Sequence, residues 1–251
     1  MSTELPAADA GATIGLPHRA AGECNLPSLT VENYAKAIYQ ICAEQEGRPA
    51  ATGQIAAALG VSPGTVTSML KTLSESSLAS YAPYEGARLA PGGKSLALRV
   101  MRRHRLIELF LVRTLNLSWD EVHEEAEHME HAVSDFLVDR IDAYLGFPAT
   151  DPHGDPIPAA DGSLATSAGR TLAQCAAGDS VQVARVRDQS PEFLRYLTES
   201  GLSLGARGHV LVNHSEAGIV SLQVEDREVT LGREAAEQIL VAPADEAAPG
   251  G

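Results

Sequence analysis

Apolar residues recur at helical spacing through the front half of the chain and at alternate positions through the back, so a helical part should precede a β-rich one. In LTVENYAKAIYQICAEQEG, Tyr34, Ala37, Ile38 and Ile41 share one helix face, with Thr30 as the expected N-cap and Gly47 as the stop. A short helix in TGQIAAALG breaks at Gly60. A second follows in VSPGTVTSMLKTLSESSL, where Ser62 caps and Val66, Met69, Leu70 and Leu73 supply the apolar face. Helix, glycine turn and helix at this spacing predict a helix-turn-helix, and the alternating LASYAPYEGARLAP predicts a β-hairpin wing after it. Further helices are expected from about Gly93 to Asn116 and over Val122 to His131. The Pro-, Gly- and Asp-dense stretch from Gly146 to Arg170 reads as a linker. Beyond it DSVQVARVRD, GHVLVNH, GIVSLQVED and REVTLG alternate as short strands of a small barrel, and PEFLRYLTESG adds one helical turn or two. Residues up to about Pro27 have no periodicity and read as a disordered tail. The expected division is a tail over 1–27, a winged helix-turn-helix over 28–92, a helical domain over 93–148, a linker over 149–170 and a small β domain over 171–245, mainly α in total.

Chemistry concentrates in VHEEAEHMEH. At about 100° per residue, His123, Glu127, Glu130 and His131 fall on one stripe, while Glu124 and His128 point about 100° away towards solvent. Upstream, His104 and Glu108 are again at i and i+4. Glu and His are ordinary on solvated helix faces, but two such clusters within thirty residues favour a site for one or two divalent first-row ions. Ser62, Gly64, Thr65, Thr67 and Ser68 occupy the N-terminal end of the second helix-turn-helix helix. Short hydroxyls and open N–H groups there suit phosphate and base edges. Arg88 on the wing suits a backbone phosphate, and a solvated arginine is the ordinary alternative.

Charge sharpens this division. The 251 residues carry a net charge of -14, which alone argues against nucleic acid. From Thr30 to Arg113, however, ten Lys and Arg face six Glu and no Asp, a balance of +4, whereas from Thr114 onward eight basic residues face 24 acidic ones, a balance of -16. The two halves should meet different partners. Three widely spaced cysteines, Cys24, Cys42 and Cys175, suggest neither a disulfide framework nor a zinc knuckle. With no long apolar run and no leader pattern at its start, the chain is expected to be soluble, cytoplasmic and without a membrane partner. Glu125 and His128 fit one Glu-x-x-His motif, but a di-metal carboxylate enzyme needs two, and no nucleophile elbow or phosphate-cradling loop is present. No enzyme activity or small-molecule substrate is expected.

In order and in its motifs VENYAKAIYQI, VMRRHRLIELFL, WDEVHEEAEHMEHAVSD and DPHGDPIP, the chain resembles the diphtheria toxin repressor family of metal-dependent transcription regulators over roughly Leu29 to Ala242. The resemblance implies a homodimer that binds metal through its middle helices and then reads a palindromic operator, with an SH3-like (FeoA-like) barrel at the C-terminus. It implies Asn33, Glu127, Glu130 and His131 as a primary metal site and His104, Glu108 and His123 as a second, to which Gln189 and Glu192 of the DQSPEF loop are candidate additions. The iron-responsive branch places cysteine and methionine where Glu127 and Asn33 stand. Hard oxygen in their place favours Mn(II), with Fe(II) as the alternative and Zn(II), Co(II) or Ni(II) as substitutes in vitro. The manganese branch usually has aspartate at position 33, so the neutral amide of Asn33 should weaken that site. A metal-independent winged-helix adaptor is the competing reading.

Overall fold

A computed structural model describes residues 28–165 and 169–244; the expected 1–27 tail lies outside the described residues. Helix α1 (Leu29–Glu44) is capped not by Thr30 but by Ser28, whose hydroxyl accepts from the Val31 N–H, and Glu32 in the first turn complements the helix dipole. α2 (Thr52–Leu59) ends on Gly60 in the left-handed region, and α3 (Pro63–Glu75) starts on the Ser62 cap. With the antiparallel hairpin of β1 (Ala79–Ala82) and β2 (Gly86–Leu89), they bury Ile38, Ile55, Leu70 and Leu73 in one core.

Helix α4 (Pro91–Leu115) is the spine of the molecule. Its first half packs Leu96, Ala97 and Val100 on Ala35 of α1. The second half presents two apolar faces. Ile107 and Leu111 meet Val122 and Ala126 of α5 (Val122–Met129), and Leu106 and Leu109 meet Val138 and Ile141 of α6 (Asp135–Tyr144) and Leu145 at its C-cap. Between those faces α4 buries an unusual polar run, Arg102, Arg103, His104, Arg105 and Glu108. Burying ionic groups is costly unless each is paired, so their partners define the chemistry of the fold.

The back of the chain is β-rich, so the mainly α expectation holds only for the front. β3 (Arg170–Thr171), β4 (Ser180–Val186), β5 (Arg207–His214), β6 (Ile219–Val224), β7 (Arg227–Gly232) and β8 (Ile239–Pro243) form one antiparallel sheet in the order β3-β8-β4-β5-β6-β7. β3 and β8 were not legible as strands. β3 is two residues long, and β8 (ILVAP) is an apolar run without alternation because most of its residues are buried. PEFLRYLTESG forms α7 (Pro191–Glu199), longer than two turns, and a short α8 (Arg233–Glu237) precedes β8. Among the described residues, no helix is long and apolar enough to cross a membrane.

Candidate metal centre

α5 ends at Met129, with Glu130 at its C-cap and His131 in the following turn, so the expected helix is two residues shorter, yet His123, Glu127 and Glu130 still face α4. His104 is the hub. Its Nδ1 lies 2.6 Å from Glu130 Oε2, and its Nε2 lies 2.9 Å from Glu108 Oε1 and 3.2 Å from His123 Nδ1. His123 reaches both sides, with Nδ1 3.2 Å from Glu108 Oε1 and Nε2 3.9 Å from Glu127 Oε1. His104, Glu108, His123, Glu127, Glu130 and His131, drawn from both ligand sets, thus form one continuous cluster. Burial alone would push the imidazole pKa of His104 down, but Glu108 and Glu130 outweigh it and raise it to about 9. In turn, His104 outweighs the burial of Glu108 and holds that carboxylate well below its usual range.

Two residues of α1 that the sequence reading passed over complete the cluster. Lys36, three positions after Asn33, places its Nζ 2.6 Å from Glu127 Oε1 and 2.9 Å from Glu130 Oε2, with His104 Nδ1 at 3.3 Å. A lysine ammonium therefore stands among the carboxylates expected to hold a cation. Glu32 lies 2.6 Å from His131 Nδ1 and is itself held by Arg103 Nη1 at 3.4 Å. A carboxylate on one imidazole nitrogen fixes the tautomer and aims the other nitrogen inward. His131 Nε2 is indeed buried without a hydrogen-bond partner, 3.2 Å from Glu130 Oε1, and Asn33 Oδ1 is likewise buried and unpartnered. The orphaned His131 nitrogen, with three carboxylates and further imidazoles, fits a divalent ion with hard oxygen and nitrogen ligands, whereas no hydrogen bond of the described residues joins Asn33 Oδ1 to them. No pattern along α1 singles out Lys36 or Glu32, because each acquires its role from helices some seventy to a hundred positions away.

The C-terminal loop behaves differently from expectation. Gln189 donates to Asp155 Oδ2 at 2.8 Å, and Glu192 is 82% exposed beside Arg195, so the structure brings neither into the cluster. Leu194 and Leu197 turn the apolar face of α7 inward, and a residue two positions before Leu194 must face outward. On the winged unit, Ser62, Gly64, Thr65 and Ser68 are exposed at the N-terminus of α3 and Thr67 is half-buried. The Ser62 hydroxyl is engaged with the Thr65 N–H and hydroxyl, and Thr67 donates to the Pro63 carbonyl. Arg88 donates to the Gly47 carbonyl. These groups are held by their own backbone, and exposed N–H groups with short side chains remain for a phosphate.

Comparison with known proteins follows this architecture. Residues 28–87 match the family model described as iron dependent repressor, N-terminal DNA binding domain, residues 90–159 its metal binding and dimerisation domain, and residues 170–243 the FeoA domain. The iron-dependent repressor IdeR of Mycobacterium leprae (strain TN) is 32% identical over 226 residues, covering 84% of this chain and 96% of that protein. A manganese-dependent transcriptional repressor solved with manganese is 42% identical with a TM-score of 0.77, covering 85% of this chain and 100% of that one. The manganese regulator SloR is 32% identical with a TM-score of 0.70, covering 85% of this chain and 98% of that one.

Proposed function

The chain belongs to the iron-dependent, or diphtheria toxin, repressor family of metal-dependent transcriptional repressors, which are regulators and not enzymes; on that premise we propose that it is a Mn(II)-responsive repressor that binds palindromic operator DNA as a homodimer and controls metal-ion homeostasis genes. The observation that carries the metal assignment is the donor set. It contains carboxylate and imidazole groups and no sulfur, and oxygen-rich sets suit Mn(II) better than thiolate-selecting ions. Support also comes from the 42% identical protein, itself a manganese-dependent repressor. Fe(II) is the alternative within the same family.

In this reading Asn33, Glu127, Glu130 and His131 hold the primary ion and His104, Glu108 and His123 the second, while Glu32 orients His131. A bound divalent ion neutralises like charges and ties α1 to the end of α5. Because α1 packs in one core with α3, fixing α1 sets where the recognition helix sits. The ion acts only through a difference in affinity between DNA-competent and incompetent arrangements. Ser62, Gly64, Thr65, Thr67, Ser68 and Arg88 remain the proposed DNA-contacting set.

Gel shifts of a promoter fragment at fixed salt, titrating Mn(II), Fe(II) and Zn(II), test this directly. Mn(II) should activate wild-type binding and leave Glu127→Ala inactive. DNA binding that ignores every metal would instead favour the metal-independent adaptor. One observation favours that second reading. The Lys36 ammonium itself ties α1 to Glu127 and Glu130.

The dimer rests on α6 and its neighbours, where Phe136, Tyr144 and Phe147 are 67%, 71% and 73% exposed. Large apolar side chains left open on one element mark an association surface. Phe136→Glu should convert dimers to monomers in light scattering at micromolar concentration. An unchanged mass would place the interface elsewhere.

A further inference from the structure

The second half of α1, the wing strand β2 and the first turn of α4 meet around a cleft of about 360 Å³. That volume falls within the range of small-molecule sites, about 300–1,000 Å³. Buried Ile38 and half-buried Tyr39, Cys42 and Leu89 line its apolar part. The backbone itself shapes the cleft. α1 ends in a tight turn with Glu46 and Gly47 in the left-handed region, at φ +58° and +79°, where the Gly47 N–H donates to the Cys42 carbonyl at 2.7 Å.

The wing is fixed close to that turn. Ala50 and Ala87 exchange two backbone hydrogen bonds of 2.9 Å, and Gly86 lies so near that a Cβ there would sit 2.7 Å from the Ala50 carbonyl oxygen. The opening between α1 and β2 is therefore held by main-chain contacts and stands ready without rearrangement.

Charge decides what the cleft suits. Arg88 and Lys94 line it and no carboxylate does. Among the described residues neither cation pairs with an acidic side chain. Arg88 donates to the Gly47 carbonyl, which anchors the guanidinium and leaves its other N–H donors for a ligand. In a chain with 33 acidic and 19 basic residues, two such cations beside one apolar cleft run against the overall charge balance. A DNA phosphate needs only the cations and an open surface. An apolar cavity behind them suits instead a molecule with an anionic end and an apolar body.

We propose that this cleft binds a small organic anion, a carboxylate carried on an apolar chain or ring, between α1 and the wing. The carboxylate takes hydrogen bonds from Arg88 and Lys94, and the apolar body lies against Ile38, Tyr39 and Leu89. Such an occupant bears on α1, which carries Lys36 and Glu32 into the metal cluster and shares one core with α3. It is a second effector of operator binding, additional to metal, and acts through its differential affinity for the two arrangements of α1.

Sodium octanoate is the probe, with octanol and inorganic phosphate as controls that each keep one half of the chemistry. Isothermal titration of the metal-stripped full-length protein, without DNA, should show one octanoate per chain and no saturable binding of either control. Lys94→Met should bind octanoate about tenfold more weakly, and because Lys94 is exposed the core is untouched. Bound octanoate should also slow alkylation of Cys42 by iodoacetamide several-fold, read by peptide mass mapping. Absence of octanoate binding overturns the site. So does octanol binding as tightly as octanoate, wild-type affinity in Lys94→Met, or alkylation of Cys42 unchanged at saturation. If octanoate fails to bind while Lys94→Met weakens operator binding at fixed Mn(II), the two cations are phosphate contacts of the DNA interface and the proposal falls. The titration uses neither metal nor operator, so its result is independent of the Mn(II) reading.

Discussion

Replacing Glu130 by glutamine is expected to abolish metal-activated operator binding, with the midpoint of Mn(II) activation shifted by on the order of 100-fold or more. Glu130 is fully buried, accepts from Lys36 through both oxygens, and lies 2.6 Å from His104 and 3.2 Å from His131. Removing its charge weakens the proposed ligand set and leaves two cationic groups facing fewer anions. Breaking one partner of a buried pair costs about 3–5 kcal/mol, and about 1.4 kcal/mol corresponds to a tenfold change in affinity. The metal-free protein should therefore also melt at lower temperature than wild type. Isothermal titration with Mn(II) together with thermal melting checks both parts. Wild-type affinity in Glu130→Gln would remove this residue from the metal centre.

Lys36→Met is expected to act in the opposite direction, tightening Mn(II) binding by on the order of 10- to 100-fold while destabilising the metal-free protein. The ammonium lies within 3 Å of Glu127 and Glu130, so a cation entering between them must displace it or sit beside a like charge. Two unit charges about 4 Å apart at an effective dielectric of about 20 repel by about 4 kcal/mol. Partial exposure of Glu127 screens part of that, which leaves the smaller factor given above. Methionine keeps the length and the packing of the lysine stem without the charge. Without the ammonium, Glu127, Glu130 and Glu108 repel one another until a metal enters. Gel shifts separate the two readings of function. If Lys36 serves as a built-in cation, DNA binding without metal falls in Lys36→Met and returns with Mn(II); if the variant binds DNA as wild type at every Mn(II) concentration, the ammonium has no part in switching.

Much of the front half was legible because helix periodicity and capping chemistry are local. The apolar faces of α1 and α3, the Gly60 turn and the shared face of His123 and Glu127 all follow from spacing within about ten residues. Strands buried on both faces lose their alternation, which is why β8 escaped. The stripe told correctly that His123 and Glu127 share one side of a helix, since that depends only on 100° per residue, while Glu130 and His131 follow the helix end.

What lies across from that side is a different matter. Spacing fixes which residues share a face but not which face of a distant element comes within hydrogen-bonding distance. Packing of α4 against α1, α5 and α6 decides that. The sequence by itself determined a winged helix-turn-helix, a clustered set of carboxylate and imidazole side chains and a separate β-rich end. Only the tertiary structure decided that His104 joins residues of both ligand sets, that Lys36 enters them from 91 positions before Glu127, that Glu32 steers His131, and that Asp151 and His153 close on Glu108. Those contacts exist because burying the apolar faces of α4 forces its polar stripe inward, where every charge must find a partner from whatever element the packing brings beside it.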